Sequence, residues 1–274
     1  PISQEKSAEL IFGALASKGS LPVMAHEKLP ENRGFLTNSL SRLGYSVPER
    51  VGMNSKTLKK VDSVMKLAIS SGATPGGQIL IARQGKVIYN KNFGKFSYGA
   101  DSEPVRSNNL YDLASLTKIT ATLPNIMQLV EKKEITFNST LGEMLPELKG
   151  SNKEDLKLLA VLSHYARLKP WIPFYISTLD QGTKKPLDTY YKDAPTKNFD
   201  TQVADHLYIR NDYKDSIIDQ IKESELLSKL QYRYSDLPFI LLQRYLENYY
   251  HRPLDKIAQD NFYKSLGMNY TTFN

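Results

Sequence analysis

Apolar residues recur at helical spacing along much of this chain. In MNSKTLKKVDSVMKLAISSG, residues Leu58, Val61, Met65, Ala68 and Ile69 fall on one face, with Asn54 or Ser55 able to cap the helix and Gly72 able to stop it. GGQILIARQGKVIYNKNFG follows as two β-branched apolar runs around Gln84-Gly85, which predicts a hairpin. Earlier, EKSAELIFGALASKG places Leu10, Ile11, Ala14 and Leu15 on one side of a short helix with Gly19 as its stop, and LPVM reads as a short strand after it. Residues 27 to 53 are rich in Pro, Gly, Asn and Ser and have no sustained period. They predict a surface linker, with a domain boundary near residue 45.

Further on, Leu116 to Val130 has helical spacing, and Pro124 within it must kink the helix or mark its true start. Helices are predicted again at 215–229, at 237–250 after YRYSD, and at 253–265 with Pro253 in the first turn. Residues 178 to 212 are polar and aperiodic. A structureless stretch of that length in a compact domain is more often a functional rim or cover than a simple connection.

Composition narrows the function classes. Of 274 residues, 41% are hydrophobic and 24% charged, and no run of about 18 apolar residues exists to span a bilayer. The net charge of +7 is spread along the chain among acids, which predicts a solvated basic surface rather than a nucleic-acid interface. Without cysteine there is neither a disulfide framework nor a thiol nucleophile. The opening PISQEKSAEL lacks the basic start and apolar core of a secretion signal, so a signal either lies upstream or does not exist.

The candidate chemistry sits in YDLASLTKIT. On a helix, Ser115 and Lys118 share a face one turn apart, the geometry by which an amine takes a proton from a hydroxyl. Such chemistry needs a lysine that is neutral part of the time, with its pKa lowered by burial or a nearby positive charge. It also needs backbone N–H donors for the oxyanion, which a serine at a helix N-terminus can supply. The spacing occurs three times, at Ser3/Lys6, Ser63/Lys66 and Ser115/Lys118. Only the last lies among apolar neighbours (Leu113, Ala114, Leu116, Ile119) that predict a half-buried lysine; the alternative is two polar residues on a helix. In YRYSDLPFILL, Tyr234 stands at the mouth of an apolar helix, where it could share a proton with Lys118 or simply pack in the core.

Together these segments resemble the family of serine β-lactamases, penicillin-binding DD-peptidases and related esterases, especially its class C-like branch, from about residue 46 to the end. LYDLASLTKITATLPNIMQLVEKKEITFNSTLGEMLPELKG is similar to the family's nucleophile helix and following segment, LLAVLSHYARL to its LLTHTSGL-like stretch, and YSD to its Tyr-x-Asn motif. The resemblance implies an α+β fold of helices packed on an antiparallel sheet. It implies Ser115 as the acylated nucleophile, Lys118 as base or proton shuttle, Tyr234 as the second proton-transfer group, and residue 236 as substrate-binding. Asp236 replaces the usual asparagine, which puts β-lactam binding in doubt. The third motif, Lys-[Ser/Thr]-Gly or His-x-Gly on a late strand, is absent, so the C-terminal strands are expected to be missing and turnover by residues 1–274 alone to be weak or nil.

The first 45 residues carry a second resemblance. AELIFGALASKGSLPV is similar to the closing helix and strand of the C-terminal domain of family 3 glycoside hydrolases, and RLGYSVPERVGMNSKTL to the bridge joining some of them to a β-lactamase-like domain. It implies an upstream glycosidase module and an extracytoplasmic, periplasmic location.

The four histidines, His26, His164, His206 and His251, lack metal-ligand spacing and stay outside the expected site, His164 as a structural residue by the resemblance. Trp171 to Tyr175, WIPFY, fits a packed core edge better than a substrate contact. No Walker loop, G-x-S-x-G elbow or dinucleotide fingerprint is present, and neither metal nor organic cofactor is expected. The expected function is acyl transfer to Ser115 from an ester, amide or peptide-like donor. The rival is a non-catalytic module that binds cell-wall fragments or supports the glycosidase.

Overall fold

The structure, a computed structural model, describes residues 2–11, 13–38 and 43–273. The chain divides into two compact units, one ending at Tyr111 and one beginning at Asp112.

The first unit is built on a hairpin. Strands β2 (Gly76–Arg83) and β3 (Lys86–Gly94) pair antiparallel from Gly76↔Gly94 to Arg83↔Lys86, with a bulge at Ile81/Ala82. Gln84 and Gly85 both have positive φ, 52° and 71°, the two-residue turn whose twist matches the strands. At the far end Gly94 has φ 66°, and a Cβ there would collide with the Pro75 carbonyl, so glycine alone fits. Helix α2 (Ser55–Ser70) lays Leu58 and Val61 against Ile79, Ile81, Ile88, Tyr89 and Phe93, the face its spacing predicts. Asn54 is the cap: its Oδ1 accepts from the Thr57 N–H at 2.9 Å. Asn54→Ala is expected to destabilise this unit by about 1 kcal/mol. A urea midpoint equal to that of the parent would show that water serves the Thr57 N–H equally well.

The residues before α2 depart from expectation in three places. Helix α1 (Ile2–Ile11) forms but stops before Gly13 rather than at Gly19. Its apolar face is not its buried one: Ile11 is exposed, while Glu9 is buried between Lys6 (2.6 Å) and Lys86 of β3 (2.8 Å). LPVM is not a strand: only Leu21 bonds across, to the backbone of Asn32 and Arg33, and Val23 and Met24 stand in solvent. The 27–53 stretch is not all linker. Strand β1 (Gly44–Tyr45) adds parallel to β3, giving the order β1-β3-β2, and a 3-10 turn at Pro48–Val51 ends on Gly52 at φ 70° and buries Val51. Residues 39–42 of that stretch lie outside the described residues.

The second unit is a helical core. Helix α3 (Leu123–Glu131) contributes Ile126 and Leu129, α4 (Leu141–Met144) Leu141, and α5 (Leu158–Leu162) Leu158 and Val161. Helices α6 (Tyr213–Glu223) and α7 (Leu237–Tyr250) complete it with Ile218, Ile221, Leu237, Leu241, Leu242 and Leu246, and α8 (Leu254–Ala258) adds Leu254 and Ile257. Each such leucine or isoleucine withdrawn from water stabilises the unit by about 1.5–3 kcal/mol. Helix α4 starts on a reciprocal capping box, Thr140 Oγ1 accepting from the Glu143 N–H and Glu143 Oε2 from the Thr140 N–H. Lys153 is fully buried in this core and donates to the carbonyls of Lys222 and Ser224, the last turn of α6 and the residue after it.

Three expectations need correction here. Residues 178 to 212 are not structureless: β4 (Tyr191–Lys192), β5 (Thr201–Ala204) and β6 (Leu207–Ile209) form a small antiparallel sheet in the order β4-β6-β5. Tyr191 anchors it through a 2.7 Å hydrogen bond with the buried Thr178 hydroxyl. Helix α6 ends at Glu223, not 229, because the Ser224 carbonyl is taken by Lys153 and the chain turns extended there. The 253–265 helix is a composite: Pro253 is the cap of α8, a π turn follows at Gln259–Tyr263, and α9 (Lys264–Leu266) closes it. No described helix is long and apolar enough to cross a membrane.

Candidate active site

Ser115 stands on a tight entry into a helix. Asp112 Oδ1 accepts from the Ala114 N–H at 2.7 Å, and Ala114 adopts φ 43°, an uncommon conformation for a residue with a Cβ. The chain then turns at once: the N–H groups of Leu116, Thr117 and Lys118 donate to the carbonyls of Leu113, Ala114 and Ser115. The Ser115 N–H has no hydrogen-bond partner among the described residues, so it is free to meet an oxyanion at a helix N-terminus.

The next turn is wide. Lys118–Thr122 is a π turn in which the Leu123 N–H reaches back to the Lys118 carbonyl, and α3 starts immediately after it. Pro124 explains this. It lacks an N–H and its ring would press on the carbonyl four residues back in an α-helix, so the chain opens there instead of kinking.

Opposite stands the segment before α7. The Arg233 N–H donates to the His164 carbonyl (2.9 Å), the Ser235 N–H to His164 Nδ1 (3.3 Å), the buried Ser235 Oγ to the Lys169 carbonyl (2.6 Å) and the Asp236 N–H to the Pro170 carbonyl (2.9 Å). These bonds aim two side chains at Lys118. Tyr234 Oη donates to Ser115 Oγ at 2.7 Å, Lys118 Nζ donates to the same oxygen at 3.0 Å, and Lys118 Nζ lies 2.7 Å from Asp236 Oδ1. The four residues expected from the sequence therefore form one connected cluster. The other two Ser-x-x-Lys pairs do not: Ser63 and Lys66 lie exposed on α2, and Lys6 binds Glu9.

Lys118 is buried to 15% side-chain exposure, but not by its sequence neighbours. Leu113, Leu116 and Ile119 are themselves exposed, and the rings of Tyr234 and Phe239 cover the amine at 5.4 and 5.8 Å. Its charge state also corrects an expectation. Burial is the largest influence and pulls the ammonium down, yet Asp236 and Tyr234 together outweigh it and hold the pKa above the usual lysine value. In the resting site Lys118 is a cation, not a free base.

His164 is the residue that the sequence reading left out. Its ring packs 4.7 Å from that of Tyr234, and it lines the same cleft. Accepting from Ser235 at Nδ1 places its proton on Nε2. Burial first, then the Lys118 charge, lower its pKa against the pull of Asp236, so it stays neutral at neutral pH. A lone histidine carries no signal in the sequence of which loop it braces. The cleft has a volume of about 410 Å³ and is walled by Leu113, Leu116, Ile119, Leu123, Leu162 and Phe239, with Ser115, Lys118, His164 and Tyr234 as its polar groups. Trp171 and Tyr175 do not line it; they stack outward at 6.5 Å while Ile172 and Phe174 pack on the core. Among the described residues no three His, Asp or Glu side chains cluster to hold a metal ion.

Known proteins are similar to this chain in sequence and in fold. The chain is 28% identical over 243 residues to "Putative D-alanyl-D-alanine carboxypeptidase" of Salmonella typhimurium, covering 83% of this chain and 50% of that protein. It thus spans about half the length of the curated relatives it matches. Among solved structures, EstCE1, a hydrolase with promiscuous acyltransferase activity, superposes with TM-score 0.55 at 23% identity, over 77% of this chain and 51% of that one. A class C β-lactamase from Rhodobacter sphaeroides does so with TM-score 0.52 at 19% identity, over 76% and 49%. The fold is that of the β-lactamases and DD-peptidases, α+β in class. The profile of the family described as Beta-lactamase matches residues 59–274, and the chain belongs to that family.

Proposed function

We propose that this chain carries the acylation site of a serine hydrolase, with Ser115 as nucleophile, Lys118 and Tyr234 as proton carriers, and an ester, amide or peptide-like acyl donor as substrate. The observation that carries it is the convergence of Lys118 Nζ and Tyr234 Oη on one hydroxyl oxygen, at 3.0 and 2.7 Å, beside an unengaged N–H. Once Lys118 has shed a proton, Ser115 Oγ attacks the acyl carbon as its own proton passes to Nζ. The bond to the leaving group breaks, and that proton travels through Tyr234 to the departing atom. The Ser115 N–H faces the oxyanion.

Asp236 Oδ1 is committed to Lys118, which leaves Oδ2 to accept from a donor on the substrate. A carboxylate there disfavours β-lactams that present a carbonyl to this position and favours peptidase or esterase substrates. The curated relatives named as carboxypeptidases support peptide-like donors and an extracytoplasmic location. An upstream glycosidase module, with residues 1–45 as its closing tail and 46–274 as the hydrolase domain, rests on sequence resemblance alone.

Intact-protein mass spectrometry after incubation with a fluorophosphonate and with a penicillin tests the reading. One fluorophosphonate adduct is expected on this chain, lost in Ser115→Ala. If neither probe labels this chain or a longer form of it, the non-catalytic module takes its place.

A further inference from the structure

Asp236 is held by two contacts although its side chain is 41% exposed. Its backbone N–H is held by the Pro170 carbonyl, and its side chain meets Lys118 across the cleft at 2.7 Å. Lys118 is nearly enclosed, and an enclosed amine without a counter-charge discards its proton. The groups facing the amine are few: Asp236 from the start of α7, Tyr234 from the segment before it, His164 from the loop after α5, and Ser115 on its own helix. Among the described residues Asp236 is the one carboxylate ion-paired with it.

We infer, on the acyl-transfer reading above, that Asp236 is a positioning residue that keeps Lys118 an ammonium in the resting protein, so that Ser115 becomes nucleophilic only after the site releases a proton to solvent. Two donors already point at Ser115 Oγ in the resting arrangement, and among the described residues no acceptor is paired with the serine proton. Removing one proton from Nζ turns it from donor to acceptor and opens the route. An asparagine at 236 would hold the lysine in place without the charge, leaving burial to lower its pKa. The state of Asp236 therefore sets how alkaline the medium must be before acylation starts, and the carboxylate acts as a brake relieved by base. The pKa of Lys118, raised above 10.5 by Asp236 and Tyr234 against burial, agrees with the geometry.

Two readouts test this on the whole chain. With 13C-labelled lysine, NMR follows the Lys118 Cε signal through an alkaline titration in the parent, Asp236→Asn and Asp236→Glu. Fluorophosphonate labelling rates of Ser115 are taken over the same range. Lys118 is expected to titrate above the usual lysine range in the parent, about one pH unit or more lower in Asp236→Asn, and to return upward in Asp236→Glu, with the labelling limb moving alongside. A parent Lys118 that titrates below the usual lysine range, or one that titrates together with the asparagine variant, overturns the inference. A shifted titration with no labelling in any variant removes the acyl-transfer reading and leaves the charge assignment standing. Should Asp236→Asn fail to fold, the parent titration alone decides.

Discussion

Lys118→Ala is expected to slow fluorophosphonate acylation of Ser115 by about a thousandfold, within the range of about 10²–10⁴ for a positioned proton carrier. Two losses combine. The serine proton loses its acceptor, and Asp236, 2.7 Å from the amine in the parent, is left as an unpaired anion near the place where negative charge develops. Tyr234→Phe, which removes one 2.7 Å contact and leaves the ion pair, should slow the same reaction by a smaller factor, about a hundredfold. Pseudo-first-order labelling rates at one alkaline pH, where the parent Lys118 has begun to shed its proton, with melting curves to confirm folding, give both numbers. A Lys118→Ala rate within tenfold of the parent would mean that Ser115 is activated by something other than this cluster.

Lys153→Ala is expected to be the most damaging single substitution for stability, at about 3–5 kcal/mol. Lys153 is completely enclosed and its ammonium serves the Lys222 and Ser224 carbonyls at the end of α6. Alanine would strip the Lys222 carbonyl of this donor and leave the Ser224 carbonyl only the longer 3.4 Å bond from Asn152, at about 1–3 kcal/mol for an unmet acceptor, and leave a cavity. Lys153→Met fills the volume and should recover the cavity share only. Urea unfolding midpoints separate the two, and a loss under 1 kcal/mol for alanine would show that the carbonyls find other donors. The pH dependence has a defined sign. Burial lowers the Lys153 pKa, with Lys169 adding to it and Glu225 opposing. The unfolded chain then binds the proton more readily, so this group's contribution to stability rises as pH climbs from its folded value towards 10.5. Lys118 runs the other way. Its pKa is raised, so the stabilisation from its ion pair is complete below 10.5 and is lost as pH rises through the folded value.

What could be read in the sequence follows the range of the forces involved. Helix α2, the Gln84-Gly85 hairpin and α7 are legible because local periodicity, a cap and a turn each suffice to specify them. The β4-β6-β5 sheet is not, because strands of two to four residues, largely exposed, show no alternation to detect. Residues 224–229 mislead for a related reason. Leu226 and Leu227 continue an apolar run, but the end of α6 is dictated by Lys153, some seventy positions earlier. The same distinction holds in the site. Ser115 and Lys118 are visible as neighbours on a turn, whereas the sign of the Lys118 pKa shift depends on Asp236, 118 residues away. The neighbours that predict a half-buried lysine are exposed, and aromatic rings from α7 and its approach do that work.

The widened turn at Lys118–Thr122 makes the site more sensitive to chain length than to side-chain identity. It holds one residue more than an α-turn would, and that surplus sets the rotational phase between Ser115 and everything after Pro124. Because Pro124 keeps this turn from winding as an α-helix, deleting a single residue is not absorbed there and swings the serine by about 100° around the helix axis, away from Tyr234. Polar or apolar exchanges at Thr120 leave the phase alone. Among related sequences and engineered variants, gaps in these five positions should therefore be far rarer in chains that acylate than substitutions are.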